Sequence, residues 1–149
     1  MSDWKFYLYI MPQVIAGVLL LAFIVYWPGP WNAQQVVGSI FLLVGLGMVS
    51  LARFQLGRSF SITPQAKNLV THGLYSRIRN PIYFFGAVAV AGFFLIIQRP
   101  ILWVLFAVIV VMQVVRARRE AAVLEAKFGD EYRAYRSHTW FLMLCLALS

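Results

Sequence analysis

Long apolar blocks separated by short polar segments dominate the pattern of this chain. Four blocks are long enough to form membrane-spanning helices, at about Phe6–Trp27, Val36–Ala52, Pro81–Ile97 and Ile101–Val115. Crossing about 30 Å of hydrocarbon takes roughly 17–25 helical residues, because every backbone donor and acceptor must be satisfied within the span. The pattern therefore predicts an all-α, polytopic membrane helix bundle with about four transmembrane helices.

Turn-forming residues join these blocks in pairs. Residues 27–32 read Trp-Pro-Gly-Pro-Trp-Asn and connect the first two blocks, while Gln98-Arg99-Pro100 connects the last two. Proline, glycine and asparagine favour tight turns. Two helical hairpins are therefore predicted, with the interfacial aromatic residues that membrane helices often carry at the ends of the first.

Two further segments follow the fourth block. From Arg116 to Phe128 the residues are strong helix formers, Gly129 is a plausible terminator and Asp130 can open a short further helix. The tail, residues 140–149, is apolar but too short to cross a membrane alone. It is predicted to be an interfacial or re-entrant segment.

Composition strengthens the membrane interpretation. Hydrophobic residues make up 62% of the 149 and charged residues 12%, against about 25% charged in ordinary soluble domains. The net charge is +8, but the charges lie between the apolar blocks, which favours a membrane protein over a partner of nucleic acid. One cysteine, Cys145, and two histidines make a disulfide framework or a metal site improbable.

The basic residues also predict an orientation. Residues 53–79 hold five basic residues and no acidic one, and residues 116–136 hold six basic and four acidic residues. Loops rich in lysine and arginine face the cytoplasm. With four crossings, this rule places both segments and the N-terminus on the cytoplasmic side of an integral, multi-pass membrane protein.

The first candidate site is the start of the third block. Asn80 is a good N-cap and Pro81 suits the first helical position, so a helix is predicted to begin there with free backbone N–H groups. A helix start attracts anions, and Arg77 and Arg79 add positive charge. The simpler alternative is a capped helix start whose arginines reach anionic lipid headgroups.

The second candidate site is the polar end of the fourth block. Arg116 and Glu120 are four residues apart and therefore share one helix face. An ionisable pair just below the hydrocarbon is a functional candidate because charge is costly there. The simpler alternative is an intrahelical ion pair at the membrane surface.

Together, the two segments resemble the isoprenylcysteine carboxyl methyltransferase and phospholipid methyltransferase family of integral membrane enzymes. The first motif of that family is matched by Gly73-Leu-Tyr75-Ser-Arg-Ile-Arg79-Asn80-Pro81-Ile82-Tyr83. The second is matched by Glu120, Leu124, Phe128-Gly129, Tyr132 and Tyr135, with an apolar hairpin between the motifs. Two departures from the family pattern are Asn80, where many members have histidine, and Ala121, which replaces a second acidic residue.

The resemblance implies an S-adenosylmethionine-dependent methyltransferase with a lipophilic acceptor from the bilayer and no metal. It treats residues 1–149 as one domain, with an N-terminal helix pair (1–52), a catalytic half (53–139) and the apolar tail (140–149). It implies Arg116 and Glu120 as the catalytic pair, with Arg116 orienting the acceptor. Its implied cofactor contacts are Lys67, Asn68, Leu69, Val70, Tyr75, Asn80, Pro81, Ile82, Tyr83 and Glu120. The charge of Arg79 beside the helix start adds it to the cofactor site, as a partner of the cofactor carboxylate.

Several alternatives remain open from the sequence. The acceptor is either a carboxylate, as in prenylcysteine, which suits Arg116, or a lipid or small amine, which must lose a proton and suits Glu120 or His72 as a base. A related superfamily of membrane reductases, similar to steroid reductases, has a comparable hairpin and binds NADPH. A non-catalytic scaffold that holds anionic lipid is the third alternative, and the sequence sets no oligomeric state.

Overall fold

The chain is all-helical over the residues that the computed structural model describes, which are 31–56 and 69–139 with positions 11, 15, 17–20 and 22–26. Its helices are α1 (Ala33–Leu56), α2 (Pro81–Ile97), α3 (Ile101–Phe128) and α4 (Asp130–His138), with a 3-10 turn at Gly73–Ser76 before α2. No β-strand occurs within these residues.

Most of the predicted helix boundaries are confirmed. Helix α2 has the predicted bounds, α3 runs past the apolar block to Phe128 and ends at Gly129, and α4 follows at Asp130. Helix α1 is longer than the predicted 36–52 at both ends. Described positions between 11 and 25 are helical, while the rest of the first block and the whole 140–149 tail lie outside the described residues.

A reciprocal pair of hydrogen bonds explains the early start of α1. The Gln35 backbone N–H donates to Asn32 Oδ1 at 2.9 Å, and the Asn32 backbone N–H donates to Gln35 Oε1 at 3.0 Å. This is the arrangement of a capping box, in which two donors that a helix leaves unpaired are satisfied by side chains. The polar residues at 32–35 thus begin the helix instead of interrupting it.

Helices α1 and α2 pack closely along their length. A Cβ atom added to Gly38 would lie 2.7 Å from the carbonyl oxygen of Gly92, and one added to Gly45 would lie 2.6 Å from the backbone nitrogen of Ala89. Small residues at these positions let the two backbones approach, as in membrane helix pairs. The same interface buries Leu42.

Helices α2 and α3 form the second hairpin and meet at far fewer points than α1 and α2 do. Their turn begins at Gln98, which has a left-handed φ of 57° and ends α2. The Gln98 and Asn32 side chains exchange two hydrogen bonds, of 2.8 and 3.2 Å, so the end of α2 is attached to the start of α1. Near the turn, the rings of Phe94 and Phe106 meet edge to face.

Two of the described helices, α1 and α3, are long and apolar enough to cross a membrane, and α2 is a shorter apolar helix of 17 residues. Large apolar side chains remain exposed along both long helices, among them Val36, Ile40, Val104 and Met112. In water such a surface would be costly, whereas lipid accepts it. These helices therefore place the polar groups described next at the border of an apolar layer.

Candidate functional site

The two candidate segments meet in the structure through one short hydrogen bond. The Tyr83 hydroxyl, near the start of α2, donates to Glu120 Oε1 on α3 at 2.5 Å. Arg116 Nε lies 3.4 Å from the same carboxylate oxygen, so the predicted pairing of Arg116 with Glu120 is confirmed. The Arg116 side chain is 60% exposed and that of Glu120 34%, so this ion pair adds little to stability.

The hairpin itself brings Tyr83 and Glu120 together. Because α2 and α3 run antiparallel from the turn at Gln98, the first turn of α2 lies beside the part of α3 that follows the apolar block. Glu120 is one helical turn beyond Arg116, which puts both side chains on one face. The result is a polar clasp, formed by Tyr83, Glu120 and Arg116, at the end of the hairpin opposite its turn.

The start of α2 offers polar groups beside this clasp. Pro81 is the first helical residue, as predicted, and is fully buried. Asn80 occupies the N-cap position, but its side chain makes no capping hydrogen bond because its backbone (φ −129°, ψ 65°) departs from the usual cap conformation. Its Nδ2 is buried and has no hydrogen-bond partner in the described part of the chain.

Helix α1 holds the 3-10 turn that precedes this helix start. The backbone N–H of Leu74 donates to Gln55 Oε1 at 2.7 Å, near the end of α1. Gly73 has a φ of 62°, and a Cβ atom there would overlap the Gln55 side chain. The left-handed backbone conformation therefore favours glycine here, and the missing side chain leaves room for the Gln55 amide.

Tyr75, within the 3-10 turn, is buried against α4. The Tyr135 hydroxyl donates to the Tyr75 carbonyl oxygen at 2.7 Å. Burial raises the pKa of Tyr75, with further contributions from Tyr135 and Glu120. Burial, with a smaller contribution from Tyr132, likewise raises the pKa of Tyr135 to about 12. Both phenols therefore keep their protons at neutral pH.

Arg79 joins the start of α2 to the end of α4. Its Nη2 donates to the carbonyl oxygens of Arg136 at 3.1 Å and Thr139 at 3.4 Å. A cation at the carbonyl end of a helix is favourable because the backbone dipoles leave negative charge there. Burial lowers the pKa of Arg79, and the nearby Tyr132 phenol opposes that shift.

Ion pairs connect α4 with α3. Arg133 Nε lies 3.1 Å from Glu125 Oε1, and Arg136 Nη1 lies 3.6 Å from the other oxygen of the same carboxylate. The fully buried Tyr132 packs its ring 6.1 Å from that of Tyr135. Helix α4 thus folds back over the start of α2 and closes the polar end of the hairpin on one side.

The structure brings most of the predicted site residues to one end of the bundle, namely Tyr75, Arg79, Asn80, Pro81, Tyr83, Arg116 and Glu120. Leu69, Val70 and Ile82 are half-buried nearby along the chain, while Lys67 and Asn68 lie outside the described residues. The described residues include no cluster of three His, Cys, Asp or Glu side chains that could hold a metal ion.

Sequence reasoning missed two polar residues, Gln55 and Gln113, and one contact of the motif residue Tyr135. Gln55 holds the 3-10 turn and Tyr135 binds the Tyr75 carbonyl, and neither contact has a local signal because each spans a long stretch of chain. Gln113 does have a signal. It is the one residue with an amide, hydroxyl or charged side chain between Ile101 and Val115.

Comparison with known proteins gives one match. The phospholipid methyltransferase family matches residues 33–131, a range that contains α1, α2, α3 and the polar clasp. No curated protein and no solved structure matches the chain. Because the family match covers about two thirds of the sequence and includes the first motif and the second as far as Glu131, the chain belongs to the phospholipid methyltransferase family, a family of membrane methyltransferases.

Proposed function

We propose that this protein transfers a methyl group from S-adenosylmethionine to a lipophilic or amphiphilic acceptor that enters from the bilayer. The observation that supports this most strongly is the hydrogen bond between Tyr83 and Glu120. It joins the two segments that the family match includes, at the border between an apolar hairpin and a polar cluster. A water-soluble cofactor and a membrane-soluble acceptor both have access to such a border.

The groups around the clasp fit the cofactor chemically. S-adenosylmethionine carries a carboxylate, an ammonium group, ribose hydroxyls and an aromatic base. Glu120 offers a carboxylate to its hydroxyl or cationic groups, and the uncapped start of α2 offers N–H groups to its carboxylate. The unpartnered Nδ2 of Asn80 is a further donor, and the half-buried ring of Tyr83 offers a packing surface. The buried Tyr75 belongs to the same proposed cofactor site.

The remaining roles are assigned in the same proposal. Arg79 adds positive charge at the start of α2 while it holds α4 in place. Lys67, Asn68, Leu69, Val70, Pro81 and Ile82 complete the cofactor site. Arg116 orients the acceptor.

Methyl transfer asks little covalent chemistry of the protein. When bound, S-adenosylmethionine supplies an electrophilic methyl group on a sulfonium. The residues of the chain then have to align the acceptor in line with the methyl–sulfur bond and exclude water. The clasp provides a fixed point for that alignment because Tyr83 and Arg116 both hold the Glu120 carboxylate.

The distribution of basic residues along the chain determines the membrane topology that we propose. We propose four crossings within residues 1–149, acting as one domain, with the N-terminus and the polar clasp on the cytoplasmic side. The basic residues of segments 53–79 and 116–136 support this orientation. The cofactor then reaches the clasp from the cytoplasm.

Calorimetric titration of the purified protein in detergent tests the proposal. We expect saturable binding of S-adenosylmethionine and S-adenosylhomocysteine, with NADPH as the ligand that should not bind. Glu120→Gln should weaken binding by about 10- to 100-fold, since a hydrogen bond to a charged group is worth about 1.5–3 kcal/mol. The matched control is Glu125→Gln on the same helix, which removes a carboxylate that pairs only with α4 in the described part of the chain.

Three results would contradict the proposal. Binding of NADPH alone would indicate a membrane reductase. Absence of binding by all three ligands would favour a lipid-holding scaffold. Equal cofactor affinity in the Glu120→Gln and Glu125→Gln variants would remove Glu120 from the cofactor site.

A further inference from the structure

Gln113 is a polar residue in an apolar setting. It lies on α3 near the end of a segment whose other side chains, from Ile101 to Val115, are apolar or aromatic. Its Oε1 is buried and has no hydrogen-bond partner among the described residues. A buried amide oxygen without a donor costs free energy, and in a membrane helix such a residue usually marks a function.

The position of Gln113 connects it with the polar clasp. Residues 113, 117 and 120 are four and seven positions apart, so Gln113 shares a face of α3 with Ala117 and Glu120. At 1.5 Å per residue, Gln113 lies about 10 Å further along the helix than Glu120, towards the hairpin turn. It is therefore deeper in the apolar layer than the clasp.

The neighbouring helix presents no side chain to Gln113 at this level, because Gly86 lies opposite it. A Cβ atom added to Gly86 on α2 would have only Gln113 Nε2 within 4 Å, at 3.9 Å. Tyr83 and Gly86 are three residues apart on α2 and face Glu120 and Gln113 in turn. The seam between the two helices, called the groove below, thus has the clasp at its polar end and the buried Gln113 amide along it, opposite a glycine.

Packing does not account for a glutamine at this position. An interhelical hydrogen bond would need a partner on α2, and Gly86 has no side chain to supply one. Leucine or methionine is similar in size to glutamine and would fill the position without leaving an amide oxygen unpaired. The amide is explained if a ligand in the groove provides the missing donor.

We infer that Gln113 recognises the methyl acceptor by accepting a hydrogen bond from an N–H or O–H group at the acceptor's polar end. This inference rests on the proposed function. The cofactor methyl is delivered near Glu120, and the nucleophilic atom lies between Glu120 and Gln113. An amine or a hydroxyl has the required donor, whereas an ionised carboxylate has none.

The transfer step balances with these groups. The lone pair of the acceptor nitrogen or oxygen forms the bond to the methyl carbon, and the carbon–sulfur bond breaks with its electron pair to sulfur. The proton of the nucleophile passes to solvent. Gln113 is a neutral amide that takes no proton, so it is a positioning residue that holds the donor in line.

A series of single-chain amphiphiles with one shared tail tests the inference. Oleylamine and oleyl alcohol have donors, while oleate and oleyltrimethylammonium have none. Protein labelled with ¹⁵N-glutamine and saturated with S-adenosylhomocysteine is titrated with each amphiphile in detergent, and the side-chain amide signal of Gln113 is identified by its loss in Gln113→Leu. We expect this signal to shift with at least one of the two donors and with neither of the others.

A shift with oleylamine alone, or with oleyl alcohol alone, identifies the acceptor as an amine or a hydroxyl. No shift with either donor, or an equal shift with all four amphiphiles, would overturn the inference. The proposed function fails separately, if S-adenosylhomocysteine does not bind the wild-type protein. The two failures are therefore distinguishable.

Kinetics and stability separate recognition from a structural role. With the acceptor that shifts the signal, Gln113→Leu should raise the acceptor KM at least tenfold and leave the cofactor KM unchanged. The control Gln34→Leu alters an exposed glutamine of α1 and should leave both constants unchanged. The melting temperature of Gln113→Leu should equal or exceed that of the wild type. A lowered melting temperature with parallel losses for all ligands would show that Gln113 acts in folding instead.

Discussion

Helix α2 has two neighbours, and its two interfaces differ in kind. Against α1 it packs backbone to backbone through Gly38, Gly45, Ala89 and Gly92. Against α3 it makes an edge-to-face aromatic contact near the turn and the hydrogen bond of Tyr83 at the far end, and between them Gly86 presents no side chain to Gln113. The α1–α2 interface is tightly packed along its length, whereas the α2–α3 interface is held at its two ends.

This difference shows how a small helical protein can combine a rigid helix pair with a site that ligands can reach. Without a hydrophobic driving force between helices in lipid, association depends on close packing and hydrogen bonds. The α1–α2 pair uses close packing and provides the scaffold. The α2–α3 pair is held by an aromatic contact and by the Tyr83–Glu120 hydrogen bond and packs less closely, and the proposed site lies at this pair.

The largest difference between the two interfaces is expected when one methyl group is added to either side of α2. Gly92→Ala would place a Cβ atom against the backbone of Gly38 and Leu42, so the helices would have to separate. We expect the free energy of unfolding to fall by about 2–3 kcal/mol, the usual cost of overpacking. Gly86→Ala on the same helix meets only ordinary contact and should leave stability unchanged or raised by up to about 1 kcal/mol.

Thermal unfolding of both variants in one detergent measures this difference. Equal losses of stability would mean that the two interfaces are packed alike. Such a result would also contradict the groove on which the role of Gln113 depends.

The second prediction concerns the clasp on the open side. Tyr83→Phe removes the hydroxyl that binds Glu120 and keeps the ring. We expect a loss of about 1–2 kcal/mol in stability, since the bond is to a charged group at a half-buried site, together with weaker cofactor binding. Tyr26→Phe, at a residue that is 83% exposed, is the control. An unchanged melting temperature would indicate that the polar clasp does not contribute to the stability of the fold.

The smallest expected effect is a dependence of stability on alkaline pH. Folded Tyr135 keeps its proton up to a pKa of about 12, whereas an unfolded tyrosine loses it near 10. The unfolded chain therefore releases this proton first, and stability is complete below about pH 10 and falls as the pH rises towards 12.

Tyr135→Phe should remove about 1 kcal/mol or less of this alkaline loss. The rest of the loss of stability at alkaline pH should remain in this variant, because the pKa of Tyr75 is also raised. Thermal unfolding at several pH values from 8 to 12 measures both. A variant with the same slope as the wild type would show that Tyr135 does not contribute.

Helix boundaries were predictable where local chemistry sets them. Asn80-Pro81 marks the start of α2 and Gly129 the end of α3, and both are confirmed. The start of α1 was missed because Asn32 was assigned to the turn between the first two blocks and the second block was started at Val36. The spacing of Asn32 and Gln35 is that of a capping box, a signal that was present in the sequence.

The site was predictable as a set of residues but not as a set of contacts. The motifs indicated Tyr83, Arg116 and Glu120, yet only the hairpin register shows that Tyr83 binds the same carboxylate as Arg116. Arg79 was predicted at a cofactor carboxylate, and in the described chain its guanidinium also reaches backbone carbonyls of residues 136 and 139. Contacts of this kind join residues some sixty positions apart, which no local pattern encodes.

The amide pair of Asn32 and Gln98 gives the second hairpin a mechanical asymmetry. It attaches the end of α2 to α1, so any change in the angle of α3 has its pivot in the two residues that follow, Arg99 and Pro100. From Ile101 to Glu120 the helix is a rigid arm of about 28 Å. A rotation of about 10° at the pivot would move Glu120 by about 5 Å, close to the width of an acyl chain, while Gln113, nearer the pivot, would move by only about 3 Å. A hinge motion of this hairpin would therefore displace the clasp most and Gln113 less.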